Sequence, residues 1–488
     1  MAQRVRPSST QRIMSFANIL PRSLVRTWMG FLLFISDTIS LVIAGTLALL
    51  IWSLVREDLL LSSYVDIIVF VLVFNLIYGL AKLYPAIGLS PVEELRLLSI
   101  STTVVFLWLG TLTFYLHNFD RYSRASFGLA WLFALVLVPT SRHIFRAIFS
   151  SMGMWGEPIA LIGYGECGSR ILNTLMNNPR LGYRPVVIIN GFSSTKIPNI
   201  SIPQYFDNGQ LPFSKISDLN GIKTAILITP EIPPELMTKI IDGYWHKFRH
   251  LIMISDDQKG SSVWIEPHDI GGILGLEVRQ NLFSEVDQAI KRVIDVCLVV
   301  LAFPILTILV IILALLIRVN SPGPIFYTQK RIGKDGKEFT IWKFRTMVVN
   351  AEQVLQNYLQ KHPLLQTEWK DNQKIKNDPR VTAVGKILRR LSLDELPQFV
   401  NVIHGEMSLV GPRPIVQEEI PFYGNNYHLY TKVKPGLTGL WQVSGRNDLA
   451  YEERVNLDEY YVRNWSVWMD VYILATTINA VLTGRGAY

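Results

Sequence analysis

Apolar residues are concentrated in four long stretches in the first third of the chain. A helix needs roughly 20 consecutive apolar residues to cross a bilayer, and most of the four stretches approach that length, the fourth being the shortest. The pattern predicts a four-helix transmembrane bundle within residues 29–150, preceded by a polar tail at residues 1–28. The stretches cover approximately residues 29–55, 64–84, 98–116 and 127–141.

Basic residues at the ends of these stretches predict the orientation of the bundle. Cytoplasmic loops carry an excess of Lys and Arg, so the tail, which is rich in arginine, is expected inside. The tail has no small-residue cleavage site, and we expect it to be retained rather than removed as a signal peptide. Arg142 and Arg146 also lie on the inner side, so the chain that follows begins in the cytoplasm.

Two acidic residues, Asp37 and Asp66, lie inside the first two stretches. An ionisable group within a membrane is a candidate functional residue by default. Pairing with a neighbouring helix accounts for these acids equally well, and the sequence leaves both interpretations open.

From Glu157 onwards the pattern changes to short β-rich runs that alternate with helix-like segments. This alternation predicts a parallel α/β sheet in a Rossmann-like cytoplasmic domain over residues 157–278. The first run ends in Gly163-Tyr-Gly165-Glu-Cys-Gly168, a G-x-G-x-x-G motif between strand and helix. The second run ends in Asn190-Gly191, where a dinucleotide fold would supply a ribose-binding acid. We therefore favour a structural or nucleotide-sensing domain over an NAD site.

A fifth apolar segment, residues 293–317, is long enough to span a membrane but has positive charge on both sides. Lys291 and Arg292 precede it and further basic residues follow, so a crossing helix would violate the positive-inside rule. Pro304 favours a break near the middle, because proline lacks the N–H and its ring clashes with the preceding turn. We predict a re-entrant helix in residues 283–320, with a plain transmembrane helix as the alternative.

The remaining segment, residues 321–488, is polar, and we expect it to form an α+β catalytic domain. Within it Asp394 and Glu395 stand side by side. Adjacent carboxylates are costly to ionise together, so a site that keeps both needs a cation, a phosphate-binding partner or a catalytic task. A simpler explanation also fits, because Ser392 with Glu395 matches a helix capping box and Pro397 matches a first helical turn.

Basic side chains recur in this part of the chain, several of them in turns rich in glycine and proline. Arginine suits phosphate because its guanidinium offers two donors at once, whereas a solvated face would be richer in lysine. Such cations around a carboxylate pair would suit a diphosphate substrate, although any one of them taken alone is more often an ordinary surface charge. The candidate phosphate-binding residues are Lys291, Arg292, Lys343, Arg345, Arg389, Arg413 and Arg446.

Composition supports a membrane protein and excludes other classes. The 488 residues are 49% hydrophobic and 18% charged, against roughly 25% charged in a soluble domain. The formal net charge of +8 does not indicate nucleic acid, because no recognition motif is present, and anionic lipid and phosphate explain it better. Cys167 and Cys297 lie far apart, so the sequence contains no disulfide framework or zinc pattern, as expected of a reducing cytoplasmic face.

A series of motifs runs in order through residues 283–488. The motifs are Lys291-Arg292-x-x-Asp295, Phe326-Tyr-Thr-Gln329-Lys-Arg331-x-Gly333, Lys343-Phe-Arg345-Thr-Met347, Ser392-Leu-Asp394-Glu395-Leu-Pro-Gln398, Gly411-Pro-Arg413-Pro and Lys434-Pro-Gly436-Leu-Thr-Gly-Leu-Trp441-Gln442-Val. They resemble the bacterial sugar transferase family, the monotopic phosphoglycosyl transferases that act on polyprenol phosphate. The N-terminal stretches and the middle domain resemble its long branch, the undecaprenyl-phosphate galactose phosphotransferases.

The resemblance implies that Asp394 attacks the β-phosphorus of a UDP-sugar, expels UMP and forms a phosphosugar-enzyme intermediate, which undecaprenyl phosphate resolves. It implies that Glu395 helps Asp394 to hold Mg²⁺ or assists proton handling, that Arg413 binds phosphate, and that Pro304 breaks the re-entrant helix. Relatives often have Ser-Pro at that break, where this chain has Phe303-Pro304. The implied location is the cytoplasmic face of the bacterial inner membrane, among membrane lipid. A homodimer formed through the middle domain is implied by resemblance alone.

Alternatives remain at this point. Galactose 1-phosphate is the first candidate for the transferred group and glucose 1-phosphate the second, because no residue can be assigned to reading the C4 hydroxyl. A non-catalytic membrane scaffold or nucleotide sensor is a second class. An NAD-linked epimerase is a third, opposed by the missing acid and by the lack of a Tyr-x-x-x-Lys pair near the glycine motif.

Overall fold

A computed structural model describes the fold in two compact units, Met1–Gly260 and Ser261–Tyr488. The residues that the structure describes are 24–54, 63–115, 124–163, 165–190, 202–206, 221–229, 248, 250–254, 265–270, 273–278, 282, 285–361, 378–445 and 449–483.

The first unit begins with four helices, at the positions where the sequence predicted them. They are α1 (Val25–Ser53), α2 (Ser63–Leu80), α3 (Pro91–Tyr115) and α4 (Arg124–Ser151). Helices α1 and α4, and α3 as far as Leu112, are long and apolar enough to cross a membrane; in α2, residues 70–80 form a shorter apolar helix. Apolar side chains from all four helices pack together, with Leu41, Phe74, Leu109 and Val138 among the buried members.

An ionic network lies within this bundle. Arg142 on α4 donates to Asp37 on α1 through two nitrogens, at 2.8 and 2.5 Å, and also to Glu94 on α3 at 2.9 Å. Arg146 donates twice to Glu94, each time at 2.8 Å. All four side chains are buried. Asp37 therefore pairs with a neighbouring helix, while the side chain of Asp66 lies outside the described residues.

A five-stranded parallel sheet follows in the same unit, as the alternating pattern predicted. The elements are β1 (Glu157–Ile162), α5 (Glu166–Asn177), β2 (Tyr183–Asn190), β3 (Gln204–Phe206), β4 (Thr224–Ile228) and β5 (His250–Ile254). The strand order is β3-β2-β1-β4-β5, and strands β1 and β4 are buried along their whole length because both faces of a parallel sheet are covered.

The second unit begins with an antiparallel hairpin, β6 (Ile265–Ile270) and β7 (Ile273–Val278), which is separate from the five-stranded sheet. The long helix α6 (Glu285–Asn320) comes next. The following elements are β8 (Phe326–Ile332), β9 (Glu338–Phe344), α7 (Ala351–Lys361), α8 (Ala383–Arg390), α9 (Phe399–His404), β10 (Ser408–Val410), α10 (Ile420–Tyr423), α11 (Tyr427–Tyr430), β11 (Gly436–Thr438), α12 (Leu440–Ser444), α13 (Tyr451–Asn464) and α14 (Val467–Thr483).

The hairpin of β8 and β9 carries part of the candidate site. Its strands pair in antiparallel register from Phe326 with Phe344 to Ile332 with Glu338. The turn contains Asp335 and Gly336 at positive φ, which is the geometry that this residue pair favours. The hairpin predicted around Asp335-Gly336 is confirmed.

Helix α6 runs without interruption through Pro304. The predicted break therefore does not divide the segment into two helices. The helix is apolar enough to cross a membrane, and most of the large apolar side chains between Val300 and Ile312 are exposed.

Both ends of α6 pack against the rest of the second unit. Near its beginning, Asp295 accepts hydrogen bonds from the Ser408 hydroxyl at 2.7 Å and the Leu409 N–H at 3.2 Å. Near its end, Leu313 and Ile317 pack in an apolar cluster with Phe344 and Leu388.

Candidate active site

The acidic pair lies on a short 3-10 helix, Leu393–Gln398, that connects α8 to α9. Leu393 and Leu396 pack against the apolar cluster at the end of α6, which fixes the turn. Ser392 has a left-handed backbone with φ of 54°, and its side chain makes no capping hydrogen bond. The capping-box explanation of the pair is therefore wrong, since the Glu395 carboxylate is used elsewhere.

Glu395 is paired with Lys343 on β9. The Lys343 Nζ donates to Glu395 Oε1 at 2.7 Å, and both side chains are mostly shielded from water, at 17% and 22% exposure. The register of the hairpin, in which Tyr327 pairs with Lys343, fixes the position of the lysine on β9. Of the two adjacent carboxylates, Glu395 thus has a direct cationic partner.

The surroundings shift the pKa values of the two acids in opposite directions. Burial and the neighbouring Glu395 carboxylate raise the pKa of Asp394 to about 6, against the opposing charges of Lys343 and Arg389. Burial acts to raise the pKa of Glu395 as well, but Lys343 and Arg413 outweigh it and hold that pKa below its usual range. At neutral pH both groups are ionised, and Asp394 is the stronger base.

A pocket opens beside the pair, and three cationic side chains line it together with Glu395. The lining residues are Arg331, Ile341, Lys343, Glu395, Gln398, Arg413, Pro414, Gly436, Leu437 and Gln442. Of the predicted site residues, Lys343, Arg413 and Glu395 therefore line one pocket, and Asp394 is the chain neighbour of Glu395 rather than a lining residue. A pocket with three cations and one carboxylate carries a net positive charge and suits a multiply charged anion.

Arg331 was missed as a site residue by the sequence analysis, which treated it as part of a motif and a charged flank. In the structure it donates to the Pro414 carbonyl at 3.3 Å and to the Gln329 side chain at 2.8 Å, while its buried Nε has no hydrogen-bond partner among the described residues. Side chains two residues apart in a strand point to the same face, so Arg331 shares a face of β8 with Gln329. This alternation is the sequence signal that could have identified Arg331.

Comparisons with known proteins bear on this geometry. Residues 286–484 match the family model described as bacterial sugar transferase, and residues 84–210 match one described as a CoA-binding domain. The undecaprenyl-phosphate galactose phosphotransferase of Salmonella typhimurium is 33% identical over 375 residues, covering 75% of this chain and 77% of that protein. The UDP-galactose-lipid carrier transferase of Erwinia amylovora is 35% identical, covering 75% of this chain and 76% of that protein.

The chain belongs to the bacterial sugar transferase family. It is also similar to a protein from Escherichia coli K12 named UDP-glucose:undecaprenyl-phosphate glucose-1-phosphate transferase, at 28% identity over 85% of this chain and 88% of that protein. The predicted family, enzyme class and membrane association are therefore confirmed.

In this transferase, Arg413 is the least committed of the pocket cations. Its guanidinium makes no hydrogen bond or ion pair to a described residue and lies over the ring of Trp441 at 5.8 Å. Arg389 lies on the other side of the acids in sequence, donates from Nε to the Thr346 hydroxyl at 2.9 Å, and acts on Asp394 through its charge. Arg446 lies outside the described residues.

Three of the predicted phosphate-binding side chains of the transferase serve structural contacts instead. Arg345 is buried and donates to the carbonyls of Ser321 and Pro322, at 2.5 and 3.0 Å. These bonds hold the turn between α6 and β8. Two nitrogens of the guanidinium therefore bind backbone oxygens, and a sequence pattern does not show whether an arginine binds a carbonyl or a phosphate oxygen.

Lys291 and Arg292 anchor the beginning of α6. Lys291 is buried in an ion pair of 2.5 Å with Asp470, and Arg292 donates to the carbonyls of Val402 and Ile403. Their predicted phosphate-binding role does not fit these contacts, because the donors already bind a carboxylate and the end of α9.

The donor set of the transferase limits how it can hold a metal ion. Within the described part of the chain, no group of three or more His, Cys, Asp or Glu side chains is arranged for a metal. Magnesium usually keeps several waters and binds one or two carboxylates together with substrate phosphates. Among the described residues, Asp394 and Glu395 supply two carboxylates, which is the number that such a Mg²⁺ uses, and they do not form a complete protein cage.

Proposed function

We propose that this transferase moves hexose 1-phosphate from a UDP-sugar to undecaprenyl phosphate, giving undecaprenyl-diphosphate-sugar and UMP. The product would begin the synthesis of a surface polysaccharide. The observation that carries the proposal is the asymmetry of the acidic pair: Lys343 neutralises Glu395, which lines the cationic pocket, while the adjacent Asp394 keeps a raised pKa.

The reaction proceeds in two displacements. A carboxylate oxygen of Asp394 attacks the β-phosphorus, and the bond from that phosphorus to the bridging oxygen breaks, so that UMP leaves with the bridging oxygen. The sugar phosphate is then held on Asp394 as an acyl phosphate. A phosphate oxygen of undecaprenyl phosphate attacks the same phosphorus, and Asp394 leaves as a carboxylate.

The pocket cations stabilise the charge that develops on the diphosphate. Arg413 and Arg331 offer N–H donors, and Lys343 contributes a point charge while holding Glu395 in place. Asp394 and Glu395 would hold Mg²⁺. When bound, this ion neutralises phosphate charge and makes the phosphorus easier to attack.

A re-entrant α6 would place this pocket at the cytoplasmic surface of the bacterial inner membrane, where UDP-sugar and lipid acceptor can meet. Arg292 and Ile317 are 25 positions apart, and a straight helix would separate them by roughly 37 Å. Arg292 binds the Val402 carbonyl, and Ile317 packs in the cluster that includes Leu396. Leu396 and Val402 are only about 10 Å apart along a short helical segment. These contacts support a helix that bends, at Pro304, and returns.

Galactose 1-phosphate is the proposed group because two similar proteins covering three quarters of the chain are named for galactose. Glucose 1-phosphate is the second candidate, since a similar protein that covers more of the chain is named for glucose. We propose that the middle domain is Rossmann-like but not an NAD site. Glu166 stands in the first turn of α5, where its charge disfavours a pyrophosphate.

A panel of UDP-sugars with undecaprenyl phosphate tests the proposal. The expected result is release of UMP, fastest with UDP-galactose, and its loss in Asp394→Asn. Release of UDP would indicate direct glycosyl transfer and contradict the mechanism. Absence of turnover with every UDP-sugar, from folded wild-type protein, would favour the scaffold or sensor function.

A further inference from the structure

We propose that Trp441 is a positioning residue that aims the Arg413 guanidinium into the pocket. The inference rests on the proposed phosphate-binding role of Arg413. Trp441 is buried at 4% exposure, and the Arg413 guanidinium carbon lies 5.8 Å from its ring centroid. A cation at this distance from an indole face is attracted by the quadrupole of the ring.

The pairing of two short strands brings these residues together. Strands β10 and β11 are parallel, with Val410 opposite Thr438. Arg413 follows Val410 by three residues, and Trp441 follows Thr438 by three. Arg413 and Trp441 therefore follow the ends of two neighbouring strands by the same number of residues, with Trp441 in the first turn of α12.

Glycines keep the two segments in register beyond the strands. Gly411 donates to the Thr438 carbonyl at 2.9 Å, and Gly436 donates to the Pro412 carbonyl at 2.8 Å. A Cβ at Gly436 would overlap the backbone of Gly411, and a Cβ at Gly439 would overlap the Gly411 carbonyl. The backbones thus approach so closely that the position of the Arg413 turn depends on the Trp441 segment.

The ring holds Arg413 without using its donors. A carboxylate partner would occupy guanidinium N–H groups and reduce the positive charge, whereas contact with a ring face leaves all N–H groups for an anion. This contrasts with Arg345, which uses two guanidinium nitrogens to bind carbonyls. The guanidinium carbon of Arg454 on α13 lies 5.0 Å from the centroid of the same ring, so a second cation contacts the indole from that helix.

The expected effect is on substrate binding. Trp441→Met should raise KM for the UDP-sugar about tenfold with kcat changed less than threefold, and Trp441→Phe, which retains a ring, should raise KM only about threefold. In an Arg413→Ala background, neither substitution should raise KM more than about twofold further, because residues that act as a unit are not additive.

The double-mutant cycle of Trp441 and Arg413 can either support or overturn the inference. Additive effects of Trp441→Met and Arg413→Ala would overturn the inference, because they would show that Trp441 acts through packing alone. An unchanged KM in Arg413→Ala would also overturn it, yet would leave the proposed chemistry standing if Asp394 still becomes labelled. If Trp441→Met fails to fold, the same cycle with Trp441→Phe decides the question through its smaller shift in KM.

Discussion

Lys343 donates a 2.7 Å hydrogen bond to Glu395, while its charge also acts on the adjacent Asp394. The same cation therefore fixes one carboxylate and keeps the neighbouring one ionised at neutral pH. These two effects of Lys343 suit a site in which Asp394 is the nucleophile and Glu395 is held in a fixed position.

Replacing Lys343 should damage the first displacement. Lys343→Met leaves the Glu395 charge uncompensated in a shielded position and removes a cation from the pocket. We expect kcat/KM for UDP-sugar to fall about 100-fold or more, since one preorganised electrostatic contact is worth that much. Steady-state UMP release measures the effect. The control is Lys330→Met on β8, where the lysine is 78% exposed and should change activity less than twofold. Equal losses in both variants would contradict the assigned role.

Asp394→Asn should stabilise the protein while abolishing turnover. The pKa of Asp394 is raised to about 6 in the fold, so ionising this carboxyl lowers the free energy of unfolding. The loss builds up as the pH rises from about 4 to about 6 and stays constant above that range. In magnesium-free buffer the variant should gain about 1–3 kcal/mol at pH 7.5 and almost nothing at pH 4. Thermal unfolding in detergent across this range measures the difference. A variant that is less stable at pH 7.5 would contradict the assignment.

Asp458→Asn should retain turnover. Asp458 is buried on α13 and accepts a 2.8 Å hydrogen bond from the Tyr423 hydroxyl. Burial raises the pKa of Asp458 to about 8, so the neutral acid, which asparagine resembles in shape, predominates at pH 7. The stability gain of the variant should grow with pH and level off only above pH 8, whereas that of Asp394→Asn levels off near pH 6. If the stability gains of the two variants changed over the same pH range, burial would not distinguish the two acids.

Arg142→Met should destabilise the membrane bundle. It leaves Asp37 and one side of Glu94 without the cation that both now contact. Breaking a buried pair in this way costs about 3–5 kcal/mol. Thermal unfolding in lipid nanodiscs measures the loss. The control is Arg96→Met, because its pair with Glu93 is substantially exposed and should contribute less than about 1 kcal/mol. Similar melting temperatures for the two variants would contradict the network.

The sequence predicted the apolar helices, the parallel sheet and the β8–β9 hairpin, because each has a periodicity or turn chemistry that local residues determine. It could not separate Arg413 from Arg345. Both arginines lie within motifs of the catalytic segment, and only tertiary contacts show that Arg345 donates to the carbonyls of Ser321 and Pro322. Pro304 was expected to kink a re-entrant helix, and α6 is continuous through it, because a proline interrupts one hydrogen bond and can bend a helix without ending it.

The capping box shows a similar limit. Ser392 and Glu395 have the spacing of that motif, but the left-handed backbone at Ser392 and the ion pair of Glu395 with Lys343 replace it. Lys343 is 52 positions away in the chain, so the competing partner could not be found from local spacing.

The most direct test of the central claim is mass spectrometry of the protein after incubation with UDP-galactose, or the preferred UDP-sugar, and Mg²⁺ in the absence of undecaprenyl phosphate. The account predicts a hexose phosphate on Asp394, formed together with an equivalent amount of UMP and removed when undecaprenyl phosphate is added. Glu395→Gln should still accept the label, more slowly, whereas Asp394→Asn should not. UMP release that requires the lipid acceptor, with no adduct, or an adduct on any other residue, would contradict it.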